Sequence, residues 1–292
     1  MSDDESLHNG PLGALYGPAF ESEAQMVKET SGQGRYHDQR WVWSGNPAPE
    51  VNALGHFFDN WIYSRLGQNQ TFGEIRVDPT WGPRYLRRLG FGGPIWGIDV
   101  RPNVLEWAAK THPVAGVGYT LLKSWNDGNW PVRQCDVGMT AGVAQNFSEI
   151  EDLRGFLKRA GGIIRPEGFY FFYAKVVPEE GLDRLVDIYK RQGKQVEIVK
   201  RRKESVTLLV PDARLAAILP QLSREDFGKL DKHLQNGQRE MTFYYDTSLE
   251  TEFVRIFDVG EIKTKNGTEF MSLLTTSGSG WRYLALGGTV KQ

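Results

Sequence analysis

A chain of 292 residues, 40% of them hydrophobic, has ample material for one large core, and 35 Lys and Arg against 36 Asp and Glu leave a net charge of -1. Near-neutrality excludes a global electrostatic pull towards nucleic acid, so only a local patch would bind one. The single cysteine, Cys135, excludes an internal disulfide framework and suits an intracellular, reducing compartment, and no apolar run is long enough to predict membrane insertion.

Residues 1–49 open with the acidic, polar "MSDDESLHNGPLG" and read as a tail and lead-in, not as a signal sequence. A helix is predicted from about Glu50 to Leu66, where Val51, Leu54, Phe57, Phe58, Trp61, Ile62 and Leu66 recur at helical spacing. Strands and helices then alternate: strand 72–77, helix 83–89, strand 94–98, helix 102–110, strand 117–122. The strand "VRQCDVGM" leads to the helix "FSEIEDLRGFLKRAGGI", and "FYFFYAKVV" reads as a strand buried on both faces. The helix "EEGLDRLVDIYKRQG" and the β pair in "KQVEIVKRRKESVTLLVPD" complete a unit spanning 50–212.

This alternation predicts an α/β fold with a mostly parallel sheet, and the last close-spaced pair predicts an antiparallel edge strand. Residues 213–292 break the pattern and are expected to form a small C-terminal α+β extension, with Asn266-Gly267 marking a hairpin.

The order of strand, turn, helix and a strand ending "GID" resembles the Rossmann-like class I S-adenosylmethionine-dependent methyltransferases. "QCDVGMTAG", "GFYFFYAKVV" and "VKRRKESVTLLV" resemble the ribose 2'-O-methyltransferases of the FtsJ and flaviviral type. The resemblance covers about residues 50–210. It implies S-adenosylmethionine as cofactor, RNA as substrate, and Asp136, Lys175 and Glu204 as three members of a Lys-Asp-Lys-Glu tetrad. It further implies that Asp99 bonds the cofactor ribose, that Asp127 meets the adenine, and that Asp78 and Gly82 belong to the turn after the first strand.

The residues themselves support part of this. An ammonium inside the apolar run at Lys175 is costly unless paired or near water, and carboxylates at Asp136 and Glu204 are candidate partners. Such a lysine would act as base towards a ribose hydroxyl or stabilise the developing alkoxide. A structural salt bridge at a strand end is the competing explanation. The turn Asp78-Pro79-Thr80-Trp81-Gly82-Pro83 departs from the family's G-x-G-x-G: two prolines fix φ and remove N–H donors, and Trp81 adds bulk. No lysine lies between Lys28 and Lys110 to supply the first tetrad position, where His56, Asn60 and Arg65 are the nearest substitutes.

Two functions therefore remain open: an RNA 2'-O-methyltransferase, or a catalytically inactive methyltransferase-like subunit of a larger complex. Partners follow from the basic run. Lys200, Arg201, Arg202 and Lys203 form a candidate phosphate-binding group, with a solvated hairpin as the alternative. Trp125 and Trp130 are candidates for stacking on an unpaired base.

Overall fold

The computed structural model describes residues 62–77, 86–87, 90–111, 116–132, 134–191, 193, 195–264, 267–270, 272–276 and 282–291. The parallel core is formed by β1 (Phe72–Ile75), β2 (Ile95–Asp99), β3 (Val117–Leu121), β4 (Cys135–Ala141) and β5 (Ile164–Val176), with α1 (Pro102–Thr111) and α2 (Ile150–Ile163) between them. There follow α3 (Leu182–Arg191), β6 (Glu197–Arg201), β7 (Ser205–Pro211), α4 (Ala213–Ile218), α5 (Arg224–Gly228), α6 (Lys232–Gln235) and β8 (Gln238–Tyr244). The chain ends with α7 (Asp246–Val254), β9 (Phe257–Val259), the β10–β11 hairpin (Glu261–Thr264, Gly267–Phe270), β12 (Ser272–Thr276) and β13 (Arg282–Val290).

The main sheet has the order β12-β13-β5-β4-β1-β2-β3, with β9 also paired to β13. Strands β1 to β5 run parallel to their neighbours. Only β13 opposes them, because it is antiparallel to β5 and to both β12 and β9. This is the predicted Rossmann-like α/β architecture, mostly parallel with an antiparallel element at one side.

The source of that element differs from the sequence reading. The pair within 195–211 does not join the main sheet; β6 and β7 form a separate antiparallel sheet with β8. Burial explains the exchange. β5 is covered on both faces, so its free edge needs a partner apolar on both faces. Strand β6 is mostly exposed, whereas Tyr283, Leu284, Ala285 and Leu286 of β13 are all buried. Residues 213–292 accordingly do not stand apart from the sheet: β13 pairs with β5 from Arg282↔Val176 to Thr289↔Phe169.

Alternation along β5 sends its side chains into two cores. Phe171 and Tyr173 meet Leu182, Leu185 and Val186 of α3 and Val206 and Leu208 of β7. Tyr170, Phe172 and Ala174 meet Phe156 and Leu157 of α2 and Leu249 and Phe253 of α7. Each fully buried aromatic contributes roughly 2–3 kcal/mol relative to exposure. The Tyr170 hydroxyl donates to Thr140 Oγ1 at 2.6 Å, which satisfies the polar tip inside the apolar layer, and burial pushes its pKa well above the usual tyrosine range. Between α2 and α7, Arg154 grips the Glu252 carboxylate with Nε (2.6 Å) and Nη2 (3.0 Å) and holds its pKa below the usual carboxylate range. Among the described residues no helix is long and apolar enough to cross a membrane.

Two measurements follow. Deleting residues 282–292 is expected to abolish cooperative unfolding, because β5 loses its neighbour; an unchanged melting curve would show that the last strand is dispensable. The Arg154–Glu252 contribution is present above the ordinary glutamate pKa and is lost as pH falls. Glu252→Gln should therefore lower Tm at neutral pH and approach wild type below about pH 4.

Candidate functional site

Open α/β sheets bind ligands beyond the carboxyl ends of their strands. Here that edge is built by the residues that leave β1, β2, β4 and β5. Strand β1 stops at Ile75, two residues before the predicted end at 77, and Arg76 takes a left-handed φ of 66°. Its backbone N–H donates to Ile98 O at 2.7 Å and its side-chain Nη1 to Ala141 O at 3.3 Å, so this residue ties the ends of β2 and β4 to the turn. A backbone conformation that favours glycine is thus adopted by an arginine. The acid within the first strand is Glu74, 1% exposed. Asp78, Gly82 and the Pro79–Pro83 turn lie outside the described residues. In "GEIRVD" polar and apolar residues alternate without a break through Asp78, so the string itself carries no signal for the turn at Arg76.

Asp99 ends β2 as predicted, and it is 0% exposed. Its Oδ1 accepts from the Arg101 backbone N–H (2.9 Å) and Nε (2.8 Å), and its Oδ2 from Arg101 Nη2 (2.7 Å). The same Nη2 donates to Val77 O at 3.1 Å. Arg101, 4% exposed, was overlooked in the sequence although it stands two residues after the acid in "GIDVRP". A carboxylate offers about four acceptor positions. Three are filled from within the chain, so Asp99 as held does not fit both hydroxyls of a nucleoside diol.

Asp127 lies in the loop that follows β3, whose Leu122 N–H donates to Asp99 O at 2.8 Å. Its carboxylate accepts from the backbone N–H groups of Asn129 (2.9 Å) and Lys123 (3.0 Å), and these bonds hold its pKa low. That is a self-capped turn. Trp125 and Trp130 are buried and pack edge-on against Phe156, with centroids at 5.4 and 5.6 Å, so they are core residues and not stacking platforms.

The three tetrad candidates do not converge. Asp136, which the resemblance to the tetrad would put at a strand's carboxyl end, is the second residue of β4, at the amino end of the sheet. Its Oδ2 accepts from Thr71 N–H at 2.7 Å and from Arg165 Nη1 at 3.1 Å. Gly138 lies within the predicted strand, and Thr140 and Ala141, beyond the predicted end at Met139, continue it. A Cβ at Gly138 would sit 2.4 Å from Ile164 Cδ1 and 3.3 Å from Tyr170 Cδ2, so a larger residue there would require the tip of Ile164 to shift. Val137 pairs with Phe169, and Lys175 stands six residues further along β5. At about 3.3 Å per residue that separates Asp136 from Lys175 by roughly 20 Å.

Lys175 does reach the carboxyl edge, with Nζ 6.0 Å from the ring centroids of both Phe243 and Tyr283. Glu204 lies in the bend between β6 and β7, where its carbonyl accepts from Tyr245 N–H at 3.0 Å. Tyr245 in turn bridges to Val177 just beyond β5, so Glu204 comes near the strand end that carries Lys175. Glu204 is the weakest of the acids that raise the Arg154 pKa, behind Glu252 and Glu151, and Lys175 shares its face of β5 with Phe171 and Tyr173.

The loop after β4 adds a buried amide. Gln145, 8% exposed, donates from Nε2 to Lys175 O at 3.0 Å and replaces the ladder bond that β4 no longer makes. Of the basic run, Lys200, Arg201 and Lys203 are exposed, but Arg201 pairs with Asp183 and Arg202 with Glu149 at 2.9 Å.

No family model and no curated protein matches the sequence. Among solved structures, a Pyrococcus horikoshii OT3 protein is similar with a TM-score of 0.52 and 12% identity over 84% of this chain and 92% of its own. An S-adenosylmethionine-dependent methyltransferase from Methanosarcina mazei is similar at 0.48 and 10% identity, over 79% and 97%. The N-methyltransferase NodS from Bradyrhizobium japonicum WM9, in complex with S-adenosyl-L-homocysteine, is similar at 0.45 and 10%, over 90% and 98%. At these identities the likeness is one of fold.

If Asp136 is a structural acid, Asp136→Asn should weaken the Thr71 and Arg165 contacts and cost about 1 kcal/mol in thermal unfolding. Ligand binding at the opposite edge should be unchanged; loss of binding without loss of stability would return Asp136 to the site. Cys135, fully buried with its pKa pushed up to about 12 by desolvation, should react with a thiol reagent at pH 8 at least ~100-fold more slowly in the native state than in denaturant.

Proposed function

We propose that the chain is an S-adenosylmethionine-dependent methyltransferase whose reacting edge is the carboxyl end of β1, β2, β4 and β5. The observation that carries this reading is the strand order, with one antiparallel strand, β13, lying between β5 and β12 in an otherwise parallel sheet. An acid at the end of β2 and a lysine at the end of β5 stand on that edge, where the resemblance to the 2'-O-methyltransferases would have them.

An RNA ribose hydroxyl is the substrate this reading favours. Lys175 is the group that would orient or deprotonate it, and the exposed Lys200 and Lys203 would meet the phosphate backbone. Asp136 has no part in this version. Glu204 is confined to an electrostatic role from the neighbouring face.

A second reading, an inactive methyltransferase-like subunit of a larger complex, is favoured by the placement of Asp136, which leaves no assembled tetrad among the described residues.

Calorimetry with S-adenosylmethionine on the whole chain separates the two. The first reading expects measurable binding, weakened by Asp99→Ala, and methyl transfer to RNA that Lys175→Ala abolishes while binding persists. Absence of binding by a folded protein removes the enzyme reading. Binding without transfer to any RNA tested supports the inactive subunit.

A further inference from the structure

We propose that Arg101 is a gate on the nucleoside site: Asp99 can receive a ribose diol only after this arginine lets go. The inference rests on the methyltransferase reading above, but concerns a residue that reading does not use.

The geometry carries it. Both partners are buried, Asp99 at 0% and Arg101 at 4% exposure, and three bonds between 2.7 and 2.9 Å join them. Two of the three come from the guanidinium and one from the backbone. The backbone bond, from Arg101 N–H to Oδ1, is compatible with a ligand because it leaves acceptor positions on both oxygens. The guanidinium bonds are not, since they occupy the positions a vicinal diol would take on the two oxygens. Release is also local. The pair spans two residues at the point where the chain turns from β2 into α1. Nη2 also donates to Val77 O, which links the arginine to the turn after β1. Opening would therefore free a carbonyl on the turn and a carboxylate on β2 together.

A buried carboxylate that has lost its cation is a strong acceptor, so the open form would take a neutral diol avidly, whereas the closed form would not. Wild-type affinity is then reduced by the fraction of molecules that are open. The gate thereby sets how much nucleoside the protein holds at a given concentration.

The test compares S-adenosyl-L-homocysteine binding by wild type, Arg101→Met and Arg101→Lys, each checked for a cooperative melt. Methionine removes the donors but keeps the volume; lysine keeps the charge but cannot make the two-pronged contact. A gate predicts at least tenfold tighter binding by Arg101→Met, a smaller gain for Arg101→Lys, and no binding once Asp99→Asn is added to either. Equal or weaker binding by both folded variants, against measurable wild-type binding, overturns the gate and leaves the methyltransferase reading standing. If none of the three binds while all remain folded, the gate and the nucleoside reading fall together. Should Arg101→Met not fold, Arg101→Lys decides by the same criterion.

Discussion

Strand β5 is apolar along both faces and lies between β4 and β13, so it must have a hydrogen-bonding neighbour on each side. Parallel pairing with β4 supplies one. The other comes from the end of the chain, across more than a hundred residues, and brings β12 and β9 with it. Everything between β5 and α7 is then an excursion that leaves the sheet and returns. The small β6-β7-β8 sheet is part of that excursion. It packs its inner face on the Phe171–Tyr173 side and touches the main sheet's carboxyl edge at the Val177–Tyr245 bridge.

This arrangement determines what stands at the ligand-binding edge. Strand direction puts Asp99, Arg76 and Lys175 there and takes Asp136 to the far end, where it caps Thr71. The Lys175 ammonium, bordered by Phe243 of the excursion and Tyr283 of the last strand, sits where three distant stretches of chain meet. The loop after β4 is held against the end of β5 by the Gln145 amide. Lysine and amide together form the polar floor of the edge.

Charge is mostly settled within the chain. Asp99 with Arg101, Glu252 with Arg154, Arg202 with Glu149 and Asp246 with Arg282 each join consecutive or neighbouring elements. Within the basic run, Arg201 and Arg202 are ion-paired, while Lys200, Arg201 and Lys203 are exposed. Of these pairs the first is the most buried, and it occupies the place where a ligand of this fold would bind.

Reading the sequence alone recovers the alternation of strands and helices, the doubly buried β5, the acid at the end of β2 and the lysine at the end of β5. Each depends on local periodicity, which a short window of residues contains. Strand pairing is another matter. Whether "KQVEIVKRRKESVTLLV" or "WRYLALGG" lies beside β5 depends on which of them can bury both faces in competition with the other, and that is a property of the assembled sheet. The position of Asp136 follows the same logic, because β4 runs on to Ala141 in its pairing with β1 and β5 and so leaves Asp136 near its start. Composition and periodicity thus determined the fold class and the elements, since those are set by the chain's own pattern of apolar residues. The order of strands, the end of the sheet each charge occupies, and the pairing of Asp99 with Arg101 were decided by tertiary structure, because they require groups far apart in the chain, or a choice among competing partners, to meet in one place.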